Sequence, residues 1–276
     1  MPELPDLEYL REFLSGKLIG VTVNGLKVLG PIVVRSSNPE KFSEEIKGRK
    51  FQEVKRRGKY LIFYLDSGAL IVISPMLSGE LHYKKIGDFD SKTRFFLSII
   101  LDDGMEVRYS DQTTMGRIYL LDNEKALNGV PKFAKLGIEA LDPNLSLQKF
   151  TTLSKHFDWE TKKVLTYQSF IAGIGNAYSD EILFDAKINP FRRCNSLSQE
   201  ERSRLYNSMR KILTDAIETL RTRVGENISV EARDFLRIHG KGGQPCPICG
   251  TRISEVKDEG RKTNFCRNCQ PGSLFK

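Results

Sequence analysis

No stretch of the 276 residues approaches the ~18 consecutive apolar positions of a membrane-spanning helix, so no such helix and no membrane partner is expected. The acidic opening Met1-Pro2-Glu3 has neither the basic nor the apolar segment of a secretory signal, and the expected location is intracellular, cytoplasmic or nucleoid-associated. Cysteine is sparse, with four of the five residues grouped near the C-terminus and Cys194 alone. In a reducing compartment that distribution argues against a disulfide framework and for one metal site plus an inert structural thiol. Internal repeats and low-complexity segments are absent, which excludes solenoids and propellers. With 39% hydrophobic and 28% charged residues, the chain is globular and long enough for one large or two ordinary domains with a sizeable core.

What the chain does have is excess positive charge, 43 Lys and Arg against 35 Asp and Glu, net +8. That suits a polyanionic partner and is equally compatible with simple solubility. After Pro5-Asp6, Leu7, Leu10, Phe13, Leu14 and Leu18 recur at helical spacing and predict an amphipathic helix ending near Gly16 or Gly20. Val21–Val34 reads as strand, and Asn38-Pro39 opens a short helix with Phe42 and Ile46 on one face. Strands are then expected at Phe51–Arg57, Tyr60–Leu65, Ala69–Ile73, Glu80–Ile86, Arg94–Leu101, Met105–Tyr109 and Arg117–Leu121, a spacing that suggests a β-sandwich. Beyond about residue 122 the apolar period lengthens to ~3.6. A Ser198-x-x-Glu201 capping box opens the clearest helix, continuing through Leu205, Met209, Leu213 and Leu220. The expected organisation is α+β and multi-domain: an N-terminal β-sandwich with flanking helices over 1–122, a linker over 123–143, a helical domain over 144–239 and a cysteine unit over 240–276.

Cys246-Pro-Ile-Cys249 and Cys266-Arg-Asn-Cys269, sixteen residues apart, form two tight knuckles that can offer four thiolates to tetrahedral Zn²⁺. Four thiolates close the coordination sphere, so one structural ion is expected, with Arg261 and Lys262 just past the turn of the intervening β-hairpin. At the other end, loss of Met1 would leave Pro2 presenting a secondary amine beside the Glu3 carboxylate. An α-amino group has a pKa of about 7.7–8.0, so part of it is a neutral nucleophile near pH 7. Alternatively, Pro5 and Asp6 simply start a helix. The turn at Gly173-Ile-Gly-Asn176 opens a helix whose free N–H groups can bind phosphate, or it is an ordinary turn between packed helices. Lys55-Arg-Arg-Gly-Lys59 is a basic β turn, either a phosphate contact or a solvated edge.

In order, Pro-Glu-Leu-Pro at 2–5, Arg-Arg-Gly-Lys-Tyr at 56–60, Met76 in Met-Leu-Ser-Gly at 76–79, Gly-Ile-Gly-Asn at 173–176 and the finger ending Phe265-Cys-Arg-Asn-Cys-Gln270 resemble the formamidopyrimidine-DNA glycosylase and endonuclease VIII (Fpg/Nei) family of base-excision repair enzymes. The resemblance covers essentially the whole chain. It implies a helix-two-turns-helix motif in the C-terminal domain, a zinc β-hairpin, and a monomer acting on damaged double-stranded DNA. By the same resemblance Pro2 attacks C1′ of an extruded nucleotide and Glu3 is the general acid/base. Lys59 is a second essential amine, Asn176 and Arg261 grip phosphates at the lesion with Lys262 beside them, and Arg261 also serves the catalytic centre. Met76 and Met115 fill the space the nucleotide leaves.

The sequence departs from that pattern in three places. Thr113 and Met115 stand where Arg and Phe are expected, so a bidentate Arg contact worth about 1–3 kcal/mol to the orphaned base is missing. The connection Val224 to Phe235 has no room for a long capping loop, and Asp6 replaces the usual Glu. The lesion therefore stays open among oxidised pyrimidines, ring-opened purines and abasic sites, with 8-oxoguanine less secure. A non-catalytic, zinc-containing protein that binds damaged DNA is the alternative; the intact Pro2, Glu3 and Lys59 favour the enzyme.

Overall fold

In the computed structural model, which describes residues 1–272 apart from 37, 90, 91, 230 and 259, the first helix, α1 (Leu4–Leu18), buries Leu7, Leu10, Leu14 and Leu18. Pro5 sits in its first turn, where N–H groups have no intrahelical acceptor and proline costs nothing. Glu3 is the N-cap, and its N–H donates to Asp6 Oδ2 at 2.7 Å. The segment expected as one strand is broken: β1 (Val23–Val28) ends before a 3₁₀ turn at Pro31–Val33, and β2 (Val34–Arg35) follows. Pro31 has no N–H for a ladder and a fixed φ, so the chain turns there and the two pieces join different sheets. α2 (Pro39–Ile46) is capped by Asn38 Oδ1, which accepts the Lys41 N–H at 2.9 Å, with Phe42 and Ile46 buried.

Seven strands follow: β3 (Phe51–Arg57), β4 (Tyr60–Leu65), β5 (Leu70–Ser74), β6 (Gly79–Lys85), β7 (Phe95–Leu101), β8 (Met105–Asp111) and β9 (Arg117–Leu121). They form the sandwich, one sheet in the order β1-β7-β8-β6 and the other in the order β2-β9-β5-β4-β3. All pairs are antiparallel except β2 with β9. Every residue of β5 is buried, because Leu127 and Phe133 cover the second face of its sheet. A strand buried on both faces reads as an unbroken apolar run rather than an alternating one.

On β6, His82 Nε2 lies 2.8 Å from Ser110 Oγ, and the ring meets Phe95 edge-on at 5.2 Å. Burial, helped by the charge of Lys84, pushes its pKa down to about 4, so Glu80, 3.7 Å away, faces a neutral ring at pH 7. The unfolded chain therefore binds a proton that the folded chain does not between about pH 6.5 and 4. Stability should be full above pH 6.5 and fall as the pH drops through that window. Thermal unfolding of His82→Asn over the same range should show a shallower fall; an identical pH slope would refute the assignment.

Contacts divide the chain into two units, Met1–Ala134 with Thr219–Ala232, and Lys135–Glu218 with Arg233–Lys276. The second unit contains α3 (Leu147–Ser154), α4 (Thr161–Thr166), α5 (Asn176–Asp185) and most of α6 (Gln199–Arg223), with a short parallel pair β10 (Ile138–Glu139) and β11 (Ile171–Ala172). The capping box at the start of α6 is formed: Ser198 N–H donates to Glu201 Oε2 at 2.8 Å and Glu201 N–H to Ser198 Oγ at 3.3 Å. The hairpin β12 (Ser254–Asp258) and β13 (Arg261–Phe265) closes the unit. Cys194 is buried, and that burial pushes its thiol pKa up, as befits an inert thiol. Among the described residues no helix is long and apolar enough to cross a membrane.

Candidate active site and metal centre

Within the first unit a cleft opens at the N-terminus of α1. Pro2 and Asp6 form one side, the turn Leu77–Gly79 with Glu80 another, and Ile228, Ser229 and Glu231 a third. Its charged lining is entirely acidic, although the protein as a whole is basic. Glu80 has its pKa raised by burial first and then by the charges of Glu231 and Asp111. The terminal ammonium of Met1 lies 3.2 Å from Glu231 Oε1. Glu3 is 2% exposed at the N-cap, next in sequence to Pro2. Asp6 both caps the Glu3 N–H and lines the cleft, so the shorter side chain still serves the helix start.

Lys59 lies half-buried on the turn between β3 and β4, after Gly58. The basic cluster around it is not a uniform patch. Arg56 Nε donates to Glu8 Oε2 at 2.6 Å and its Nη1 to the Gly58 carbonyl at 3.2 Å, so it fastens the Lys59 turn to the helix that carries Glu3. Arg56 is 8% exposed and Lys55 pairs with Glu53 at 2.9 Å; these two side chains are spent on structure. Met76 and Met115 are both solvent-exposed, but the cleft is lined by Leu77 and not by Met76.

In the second unit the Asn176 amide donates to the Lys262 carbonyl at 2.7 Å, which places the start of α5 beside β13. Arg261 and Lys262 are exposed, and Lys262 Nζ lies 3.4 Å from Glu255. The Asn176 side chain thus also contacts the hairpin. Beneath it, Lys162 Nζ bonds Asp180 at 2.6 Å, the Lys262 carbonyl at 3.0 Å and Thr263 Oγ1 at 2.9 Å. Asp180 also accepts from Asn264 N–H at 3.1 Å, and Glu181 accepts from the N–H groups of Arg237, Ile238 and His239 at 2.8–3.1 Å. Sequence reasoning passed over these two acids; two adjacent carboxylates running directly into the apolar Ile182-Leu183-Phe184 were the available signal. The sulfurs of Cys246, Cys249, Cys266 and Cys269 lie within 4.8 Å of one another, with separations of 3.9 Å and 3.5 Å for two pairs. Metal–sulfur bonds of about 2.3 Å in a tetrahedron put sulfurs about 3.8 Å apart, so the four fit one ion.

Family models match the chain in three successive parts: the formamidopyrimidine-DNA glycosylase N-terminal domain over residues 1–118, its H2TH domain over 136–227, and a zinc finger found in FPG and IleRS over 243–272. A formamidopyrimidine-DNA glycosylase of Pelotomaculum thermopropionicum is 34% identical over 275 residues, covering 98% of this chain and 99% of the relative. The chain belongs to the formamidopyrimidine-DNA glycosylase family. Another formamidopyrimidine-DNA glycosylase, from Heliobacterium modesticaldum, is 34% identical over 98% of this chain and 100% of its own. Among solved structures, a Lactococcus lactis FPG mutant in complex with Fapy-dG-containing DNA superposes with a TM-score of 0.88 at 26% identity, covering 98% of this chain and 100% of that one. The Lactococcus lactis Fpg with abasic-site DNA gives 0.87 at 27%, with the same coverage. Membership accounts for the order of the parts: sandwich, H2TH helices, then the cysteine hairpin.

Proposed function

We propose that this family member is a base-excision-repair DNA glycosylase and abasic-site lyase, acting as a monomer on damaged duplex DNA, with one Zn²⁺ held by Cys246, Cys249, Cys266 and Cys269. The observation that carries the reading is the cleft at Pro2: an amine-bearing terminus, a buried carboxylate next to it, and a wall that carries Asp6, Glu80 and Glu231. The Lactococcus relatives were captured on Fapy-dG and abasic-site DNA, and the same substrate class is proposed here. An intracellular, nucleoid-associated location follows from such a substrate.

Once Met1 is removed, the Pro2 nitrogen attacks C1′ of the extruded nucleotide while Glu3 delivers a proton to the opening sugar, and the N-glycosyl bond breaks with the base taking its electron pair. A secondary amine yields an iminium that is cationic without further protonation. Asp6, Glu80 and Glu231 give that cation an anionic surrounding. The charge acidifies the C2′–H, whose loss expels the 3′ phosphate; a second elimination expels the 5′ phosphate, and water then frees Pro2. Lys59 acts as the second amine near the lesion phosphate, and Arg261 and Asn176 hold the flanking backbone with Lys262 adding charge. Met76 and Met115 fill the vacated space. Thr113 cannot supply an arginine fork, so selectivity for the opposite base is weak. Zinc holds the hairpin and takes no part in the chemistry, since four thiolates leave no open position.

Borohydride reduction with abasic-site DNA should trap a covalent complex whose cross-link maps to Pro2. Pro2→Gly should lower trapping and base excision together, because both need one nitrogen. Mature protein that binds this DNA yet gives neither a trapped species nor a nicked strand would instead be a damage-binding protein without catalysis.

A further inference from the structure

Two exposed loops meet at one buried carboxylate. The turn carrying Met76 and Leu77 enters β6 at Gly79, and the loop carrying Thr113 and Met115 leaves β8 at Asp111; Gly79 and Asp111 are register partners. Asp111 is 3% exposed. Its Oδ1 accepts the Ser78 hydroxyl at 2.6 Å from the first loop, and the Thr113 N–H and hydroxyl, both at 3.0 Å, from the second. Its Oδ2 accepts the Gly116 N–H at 2.6 Å and the Tyr109 hydroxyl at 3.4 Å. Ser78 Oγ closes the ring by accepting the Thr113 N–H at 2.9 Å. We infer that Asp111 is a positioning residue that locks these two loops into a single rigid wedge, and that this rigidity is what drives the damaged nucleotide out of the stack. The inference rests on the glycosylase reading above.

Backbone strain points the same way. Met76 has a φ of +53° and Thr114 a φ of +55°, left-handed values that are uncommon for any side chain and an outlier for a β-branched one. Such residues persist only where neighbouring bonds over-determine them. Here one sits in each loop, and Asp111 bonds to both loops. Tyr109, fully buried, takes up the room between them: a Cβ on either Gly79 or Gly116 would collide with its hydroxyl. The carboxyl of Asp111 is held below the ordinary range: burial works to raise it, and the bonds from Ser78, Gly116 and Thr113 outweigh that. A soft wedge would yield to the stacked bases; a tied one transmits its insertion to them, and misplacing it is costly.

The test compares two substrates: a duplex carrying one Fapy-dG, which must be extruded, and a single-stranded oligonucleotide carrying an abasic site, which need not be. Asp111→Asn, similar in size, should slow single-turnover excision from the duplex by about 10- to 100-fold. Cleavage of the single strand should stay within about twofold. Ser78→Ala, a milder cut of the same network, should slow duplex excision more than it slows cleavage of the single strand, and the ratio of the two losses carries the test if the Asn protein does not fold. In a Met115→Ala background, Asp111→Asn should cost less than about threefold, since residues acting through one another are non-additive. Equal losses on both substrates, no loss on either, or full additivity with Met115→Ala would overturn the inference. Failure of the unsubstituted protein to cleave either substrate would overturn the glycosylase reading, and this inference with it.

Discussion

Changing Glu3 to Gln should cost base excision about 10²–10⁴-fold, the range that a lost general acid/base commands. The substitution keeps the shape of a side chain that is 2% exposed at the N-cap of α1; the bond from the Glu3 N–H to Asp6 is untouched, and the Gln amide oxygen can accept the Asp6 N–H as the carboxylate does in the capping box. The loss should therefore be chemical, with thermal unfolding little changed. Its distribution over steps is the sharper expectation. Protonating the opening sugar matters when a base must leave; at a preformed abasic site there is no base to expel, so borohydride trapping by Glu3→Gln should fall much less than excision. Single-turnover excision and trapping on matched duplexes measure both. Excision within about threefold of the parent protein would remove Glu3 from the chemistry.

The expectation follows from local sequence, and so did much of the fold. α1 and α6 were legible because their apolar residues repeat at helical period and their starts carry caps, Asp6 for one and Ser198 with Glu201 for the other. The four cysteines were legible because a knuckle is a local structure with a fixed spacing. What escaped was non-local. Nothing near Arg56 announces that its guanidinium is spent on Glu8, 48 residues earlier, instead of on a phosphate. The last turn of α6 and the loop after it, from Thr219 to Ala232, contribute Leu220, Ile228 and Glu231 to the cleft at Pro2, and no pattern of period predicts which unit a helix end will join. Met76 and Leu77 are equally apolar neighbours, and nothing in their spacing tells that Leu77, after the left-handed Met76, is the one that lines the cleft at Pro2. Asp180 and Glu181 were passed over because acids on a helix usually face water; here Lys162 and four backbone N–H groups make their burial tolerable.

Removal of zinc should have the second large effect, and it should fall on DNA binding. Cys246 and Cys266 are buried in a small core with Phe184, Ile238 and Ile253, so the ion and this core hold the hairpin together. Thiolate–zinc sites contribute about 10–16 kcal/mol to folding in isolated fingers, far more than a core of five residues supplies. Chelation, or Cys266→Ser, should release one equivalent of zinc and disorder β12 and β13. Arg261 and Lys262 then lose their fixed positions, while the sandwich, whose contacts lie in the other unit, keeps its unfolding transition. If both side chains neutralise phosphates, the slope of log K against log salt should flatten by about 1.8, and affinity at low salt should drop steeply. The network on α5 sets the limit of the damage: Lys162 bonds the Lys262 carbonyl and Thr263, so Asp180→Ala should mimic part of the zinc loss with the metal still bound. A zinc-free protein that binds abasic-site DNA with unchanged affinity and unchanged salt slope would show that the hairpin carries no phosphate contact.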